Sequence, residues 1–220
     1  MIVQLDKDIW FPDPRNGEED GLFAIGGDLS PERLILAYSY GIFPWYAFKY
    51  YKQIHWYCPM DRFVIFPKKI HISHSMRTLI NSNRYKITVN ECFDEVIRNC
   101  SSLRIDEPGA WLGDKMIKAY TELHRQGFVV SVEVWDEERL VGGLYGINLG
   151  KNFFGESMFS LEPSASKMAL IGLAKLMQND GGIIDCQFET AHLKSMGGEH
   201  IPYDEYLKLL GNELKPLNEE

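Results

Sequence analysis

Between Phe128 and Phe188 the alternation of apolar and polar positions changes period twice. Three short apolar runs, residues 129–135, 140–147 and 152–159, are separated by Asp136-Glu137-Glu138-Arg139 and Asn148-Leu149-Gly150-Lys151. Runs of this length, rich in Val, Tyr and Phe and joined by short polar turns, predict consecutive antiparallel strands. A helical pattern follows. Pro163-Ser164 starts it, with Ser164 as N-cap, and Asn179-Asp180-Gly181-Gly182 stops it. A strand over 183–188 completes a β-β-β-α-β unit.

The rest of the chain is organised around that unit. Residues 1–30 read as loop-rich, because Pro12 and Pro14 push their neighbours away from helical angles. Gly26-Gly27 reads as a tight turn. A helix over 31–40 has Ser30 as N-cap, Pro31 at its first position and Gly41 as its stop. A strand segment spans 54–66, broken at Pro59-Met60-Asp61. Helices are predicted over 71–81, 91–101, 114–126 and 203–210, a strand over 85–89, and a loop or short helix over 190–198. Gly109-Ala110-Trp111-Leu112 breaks the pattern before the 114–126 helix, and 215–220 is a polar tail. A change of pattern at 65–70 divides the chain into an N-terminal lobe, 1–66, and a larger lobe, 67–220.

Composition adds bounds. With 45% hydrophobic and 25% charged residues, the chain of 220 has an ordinary soluble make-up. No apolar run reaches 18 residues, and the N-terminus lacks a basic region followed by an apolar one, so neither a membrane span nor a signal peptide is expected. Cys58, Cys92, Cys100 and Cys186 form no C-x-x-C pair, so no disulfide framework, zinc site or other metal site is expected, and a reduced cytoplasmic setting is. His71 and His74 stand three apart with His55 upstream, without a third ligand at a useful spacing. A net charge of −8 argues against extensive phosphate neutralisation. Lys68, Lys69, Arg77, Arg84 and Lys86 make the best basic patch, and it is thin.

Candidate chemistry lies where polar residues interrupt apolar runs. Glu156 sits among Phe, Met and Ser, and Asp185 and Gln187 stand two apart in one predicted strand, hence on one face. Either they are satisfied groups on a solvated face, or they aim an acid and an amide at one point of a cleft. Leu144, Phe153, Met158, Leu170, Leu173 and Ile184 lie near enough in topology to wall an apolar pocket around them. The run Gly41-Ile42-Phe43-Pro44-Trp45-Tyr46 is core, or a platform on which nucleobases stack. No G-x-S-x-G elbow or H-E-x-x-H set is present.

Several segments together resemble the leucyl/phenylalanyl-tRNA–protein transferase family. They are Gly26-Gly27-Asp28-Leu29-Ser30-Pro31, Tyr40-Gly41-Ile42-Phe43-Pro44-Trp45, Leu140-Val141-Gly142-Gly143-Leu144-Tyr145-Gly146, Phe154-Gly155-Glu156-Ser157-Met158-Phe159-Ser160, Ile184-Asp185-Cys186-Gln187 and His192-Leu193-Lys194-Ser195-Met196-Gly197. The resemblance implies an α/β (α+β) protein with an acetyltransferase-like (GNAT-type) C-terminal lobe and a smaller N-terminal α/β lobe. It implies a cytoplasmic, monomeric enzyme with no cofactor. The enzyme moves Leu, Phe or Met from its tRNA to the α-amine of proteins beginning with Arg or Lys, which marks them for degradation.

By the same resemblance Trp45 and Trp111 sandwich or abut the terminal adenosine. Asp185 would orient the amine or accept its proton, directly or through Gln187, and Glu156 would fix either the aminoacyl-adenosine end or the incoming cationic N-terminus. Lys68, Lys69, Arg77 and Arg84 are left to meet the tRNA backbone, fewer cations than the family pattern leads one to expect. Two other readings compete. A thioester-using acyltransferase would want a glycine-rich pyrophosphate cradle where this chain has Leu161-Glu162-Pro163-Ser164-Ala165. A non-catalytic RNA-end or peptide-binding module would survive loss of Asp185 and Gln187.

Overall fold

The computed structural model describes residues 2–103, 106 and 110–211, so Gly109 and the tail 215–220 lie outside the described residues. In chain order the elements are β1 (Val3–Leu5), β2 (Leu22–Gly26), α1 (Pro31–Ser39), β3 (Phe43–Trp45), β4 (His55–Tyr57), β5 (Asp61–Ile65), α2 (His74–Asn81), β6 (Tyr85–Val89), α3 (Phe93–Ser102), α4 (Asp114–Arg125), β7 (Val129–Asp136), β8 (Arg139–Leu149), β9 (Asn152–Ser160), α5 (Ala165–Met177), β10 (Ile184–Asp185), α6 (Ala191–Ser195), β11 (Glu199–Pro202) and α7 (Tyr203–Leu210). Two compact units share the chain. One holds 1–62, 104–123 and 201–220, the other 63–103 and 124–200.

The first unit carries a four-stranded sheet in the order β1-β2-β4-β3. The loop-rich stretch 1–30 also holds two strands that the sequence does not single out, β1 lying parallel to β2 with Val3 opposite Ala24 and Leu5 opposite Gly26. Strands of three and five residues on either side of two prolines offer too few alternating positions to be legible. The aromatic run after Gly41 is likewise a strand, β3, antiparallel to β4. Arg33 on α1 is fully buried. Its Nη2 donates to the carbonyl oxygens of Asp6 (3.0 Å) and Asp8 (2.9 Å), so one side chain ties the segment after β1 to the helix.

The second unit is built on a seven-stranded sheet in the order β11-β5-β10-β9-β8-β7-β6. From β6 to β9 every neighbour is antiparallel, whereas β10 lies parallel to β9 and antiparallel to β5. With α5 between β9 and β10, this is the β-β-β-α-β unit that the apolar periodicity predicts. Consecutive glycines on β8 let helices close on both faces. A Cβ on Gly142 would meet Ala165 of α5 at 2.5 Å, and one on Gly143 would meet Val96 of α3 at 3.3 Å. Neighbouring strand residues point to opposite faces, so α3 and α5 sandwich the sheet.

Two buried polar devices fix this unit. Glu133 is fully buried on β7, and its Oε2 accepts a hydrogen bond from Thr88 Oγ1 (2.6 Å), its register partner on β6. Oε1 accepts from Ser131, and Trp135 Nε1 donates to Thr88 Oγ1 at 2.8 Å. At the start of α5, Ser164 occupies the N-cap position as the sequence predicts. Its φ of 69° is left-handed, however, and its side chain makes no capping bond. Ser160, at the end of β9, supplies the acceptor instead, taking a hydrogen bond from the Ser166 N–H (3.1 Å).

Candidate active site

The ladder between β8 and β9 slips by one residue. Tyr145 faces Ser157 and Gly146 faces Gly155, so Glu156 is the extra residue of a β-bulge. A bulge frees a side chain from strict alternation and re-aims it. The parallel ladder between β9 and β10 ends close by, at the pair Asp185–Phe154.

Past that pair the chain turns. Asp185, fully buried, accepts a hydrogen bond from the backbone N–H of Gln187 on its Oδ1 (2.9 Å). Gln187 has φ 61°, and the Phe188 N–H donates to the Cys186 carbonyl across it at 2.7 Å. This is the γ-turn with a positive φ at its centre, the rarer and strained form. The Cys186 N–H meanwhile donates to the Phe63 carbonyl (2.9 Å), which keeps the segment against the strand β5. The predicted strand over 183–188 is therefore corrected. It stops at Asp185, and Asp185 and Gln187 do not share a strand face.

The turn achieves what alternation was expected to achieve. Gln187 Nε2 donates to Glu156 Oε1 at 3.2 Å, joining the end of β10 to the bulge of β9 by side chains where the backbone ladder has ended. Both residues are half-buried. Only the amide nitrogen can donate to a carboxylate, so the amide oxygen of Gln187 is directed elsewhere and can accept from an N–H.

Leu144, Phe153, Leu170, Leu173 and Ile184 lie in one apolar cluster and are each at most 3% exposed; Met158 and Cys186 pack at its edge, half-buried. His192 on α6 was not singled out as a site residue. Its Nε2 is buried without a hydrogen-bond partner, and burial together with the Lys167 charge pushes its pKa down. Only its place in a family-like segment signalled it.

Three of the five cations of the thin patch have partners. Lys69 Nζ lies 2.9 Å from Glu199 Oε1, and Arg84 Nε donates to Asp136 Oδ2 at 3.1 Å. The Arg84 hydrogen bond holds the Asp136 carboxyl below its usual range. Arg77 Nε donates to the carbonyl of Ile72, and Lys68 is exposed. In the first unit, Trp45 and Trp111 are half-buried with ring centroids 6.1 Å apart and planes tilted by 45°. They form a corner rather than a parallel slot. Among the described residues no three His, Cys, Asp or Glu side chains are grouped to hold a metal, and no helix is long and apolar enough to cross a membrane.

An acid and an amide bridge the point where the parallel strands part, and the segment before α5 carries no glycine-rich cradle. Comparison with known proteins supplies the class. The profile of the leucyl/phenylalanyl-tRNA–protein transferase family matches residues 64–211, and that of the same family's N-terminal domain matches 27–60. A leucyl/phenylalanyl-tRNA–protein transferase of Nitrosomonas eutropha is 48% identical over 96% of this chain and 91% of its own. One from Flavobacterium psychrophilum is 47% identical over 94% and 98%. Two solved structures overlap the chain more loosely. They are a protein of unknown function from Bacteroides thetaiotaomicron (TM-score 0.46, 13% identity, 89% of this chain and 67% of that one) and an aminoglycoside acetyltransferase from a soil metagenome (0.37, 17%, 63% and 92%). The chain belongs to the leucyl/phenylalanyl-tRNA–protein transferase family, and is an aminoacyltransferase.

Proposed function

We propose that this protein transfers Leu, Phe or Met from the 3′ end of its tRNA to the α-amine of proteins that begin with Arg or Lys, acting as a monomer in the cytoplasm and marking those proteins for degradation. The observation that carries this reading, beside family membership, is the Gln187–Glu156 pair held at 3.2 Å by the bulge and the turn.

The ester is already activated, so the enzyme has to position the reactants and manage one proton. The amine nitrogen attacks the ester carbonyl carbon, a C–N bond forms and the C–O bond to the ribose breaks. Gln187 accepts a hydrogen bond from the incoming amine on its amide oxygen and fixes its approach, a contribution of the orientation kind. Glu156 carries the negative charge that a cationic N-terminal residue favours. Asp185 acts through the turn that it holds. The proton lost by the amine balances the one gained by the departing 3′ oxygen, with the neighbouring ribose hydroxyl as the relay. Trp45 and Trp111 offer their corner to the terminal adenine. The side chain being transferred enters at the Met158 edge of the cluster formed by Leu144, Phe153, Leu170, Leu173 and Ile184, where an adaptable thioether accepts Leu, Phe and Met alike. Lys68 is the cation best placed for a tRNA phosphate, with Lys69, Arg77 and Arg84 as weaker contributors.

The test is transfer of labelled Leu from Leu-tRNA to a peptide beginning with Arg and to the same peptide beginning with Ala. Wild type transfers to the first and not to the second. Gln187→Ala lowers kcat/KM by about 10²-fold, the scale of loss when a reactant is no longer held in place. Asp185→Asn retains an oxygen for the Gln187 N–H and costs less than about tenfold if Asp185 only positions, below the range for a general base. Binding of Leu-tRNA without transfer to either peptide would sink the enzymatic reading in favour of an RNA-end binding module.

A further inference from the structure

Beyond Trp45 the first unit carries aromatic rings that the reading above does not use. Trp45 on β3 is the register partner of His55 on β4, so their side chains emerge side by side on one face of the hairpin. Tyr51, in the connection between these strands, lies on the His55 ring with centroids 4.0 Å apart and planes within 27°. Trp111, Trp45, His55 and Tyr51 thus form a continuous row, half-buried at the tryptophans and 43% exposed at Tyr51. Tyr50, next to it, is 64% exposed. Lys49 and Lys52 flank the two tyrosines; Lys49 lies 3.7 Å from Asp106, and Lys52 is exposed. Burial lowers the His55 pKa, which favours the neutral, stacking form of its ring.

We propose that this row is a binding site for the unpaired nucleotides that precede the terminal adenosine of the tRNA, the bases stacking along His55, Tyr51 and Tyr50 and the phosphates passing Lys49 and Lys52. The inference rests on the reading that Trp45 and Trp111 receive the terminal adenine. Flat rings interleaved with lysines match single-stranded nucleic acid, in which each base has a face to stack and each linkage a negative charge. A protein partner is disfavoured by the lysines along the row, since Lys is depleted in protein interfaces. Stacking does not read sequence, so the site would hold the strand without selecting among tRNAs.

The experiment compares the affinities of adenosine, the dinucleotide CA and the trinucleotide CCA, by competition against a fluorescent CCA probe. Wild type gains about fivefold or more with each added nucleotide, the lower end of base–aromatic stacking. Tyr51→Ala loses most of that gain while its affinity for adenosine is unchanged, and Tyr51→Phe keeps both. The proposal is overturned if CCA binds wild type no more tightly than adenosine, or if Tyr51→Ala retains the gain. Leucyl transfer from Leu-tRNA, measured on the same preparations, reports on the enzymatic reading separately. CCA gain without transfer leaves the row standing and removes the reaction, and transfer without CCA gain does the reverse.

Discussion

Gln187 holds two incompatible properties together. Its side chain bridges to Glu156, which suits an amide, and its backbone adopts φ 61°, which suits glycine. A left-handed conformation costs a side-chain-bearing residue on the order of 1 kcal/mol or more, and such strain collects where function requires the side chain. Gln187→Gly should therefore raise stability by roughly 1 kcal/mol, read as a shift in the urea midpoint at unchanged slope, while transfer falls as far as in Gln187→Ala. A loss of stability would mean that the hydrogen bond to Glu156 outweighs the strain. The sequence singles out all three residues as candidates but implies the wrong geometry for two of them. Isoleucine before Asp185 and phenylalanine after Gln187 continue an alternating pattern. That pattern does not register the Asp185 side chain capturing the Gln187 N–H and ending the strand. Trp111 and Trp45, by contrast, were legible as site candidates only through resemblance, because an isolated tryptophan has the same local signature in a core as on a platform.

Elements of eight residues or more were legible; several of five or fewer were not. β6 and α7 have the bounds that periodicity assigns them, and β7, β8 and β9 are within two residues of theirs. β1, β3 and β11 are three or four residues long and escape, since a strand that short shows no period of its own. Caps are equally local but are settled by geometry. Serine at position 164 satisfies the compositional rule for starting α5, yet the capping oxygen comes from Ser160. Ser160→Ala should destabilise the protein by about 1 kcal/mol and Ser164→Ala by much less, a ranking opposite to the one the sequence suggests, measurable by chemical denaturation of the two variants. Equal losses would mean that Ser160 is not the cap. Ser164→Gly should stabilise, because φ there is positive.

For the whole molecule, the charge balance bears on how a tRNA is held. The net charge is −8, and two of the four cations assigned to the tRNA backbone, Lys69 and Arg84, already face carboxylates. On the proposed reading few phosphates are neutralised, which leaves the affinity to the terminal nucleoside, the aminoacyl side chain and stacking. The dependence of log affinity for Leu-tRNA on log salt should be shallow, with a slope no steeper than about −2, which corresponds to two or three phosphate contacts. A slope near −5 would show that the acidic surface conceals a phosphate track that neither sequence nor structure reveals. The thinness of the patch was readable from the order of residues; its pairing with Glu199 and Asp136 was not, since those partners lie 130 and 52 residues away.

The bulge on β9 gives the acid an address that an uninterrupted sheet does not possess. Every other β8–β9 pair stays matched if Glu156 is simply left out, because Gly155 and Ser157 already face consecutive residues of β8. Loss of a single codon would thus erase the carboxylate and leave a sheet that closes without a scar. Read in the other direction, gain of one codon in an ordinary strand suffices to plant a side chain at the mouth of a parted ladder. Glu156 thus occupies a position that a single insertion can add or remove, with no neighbouring strand obliged to change in step.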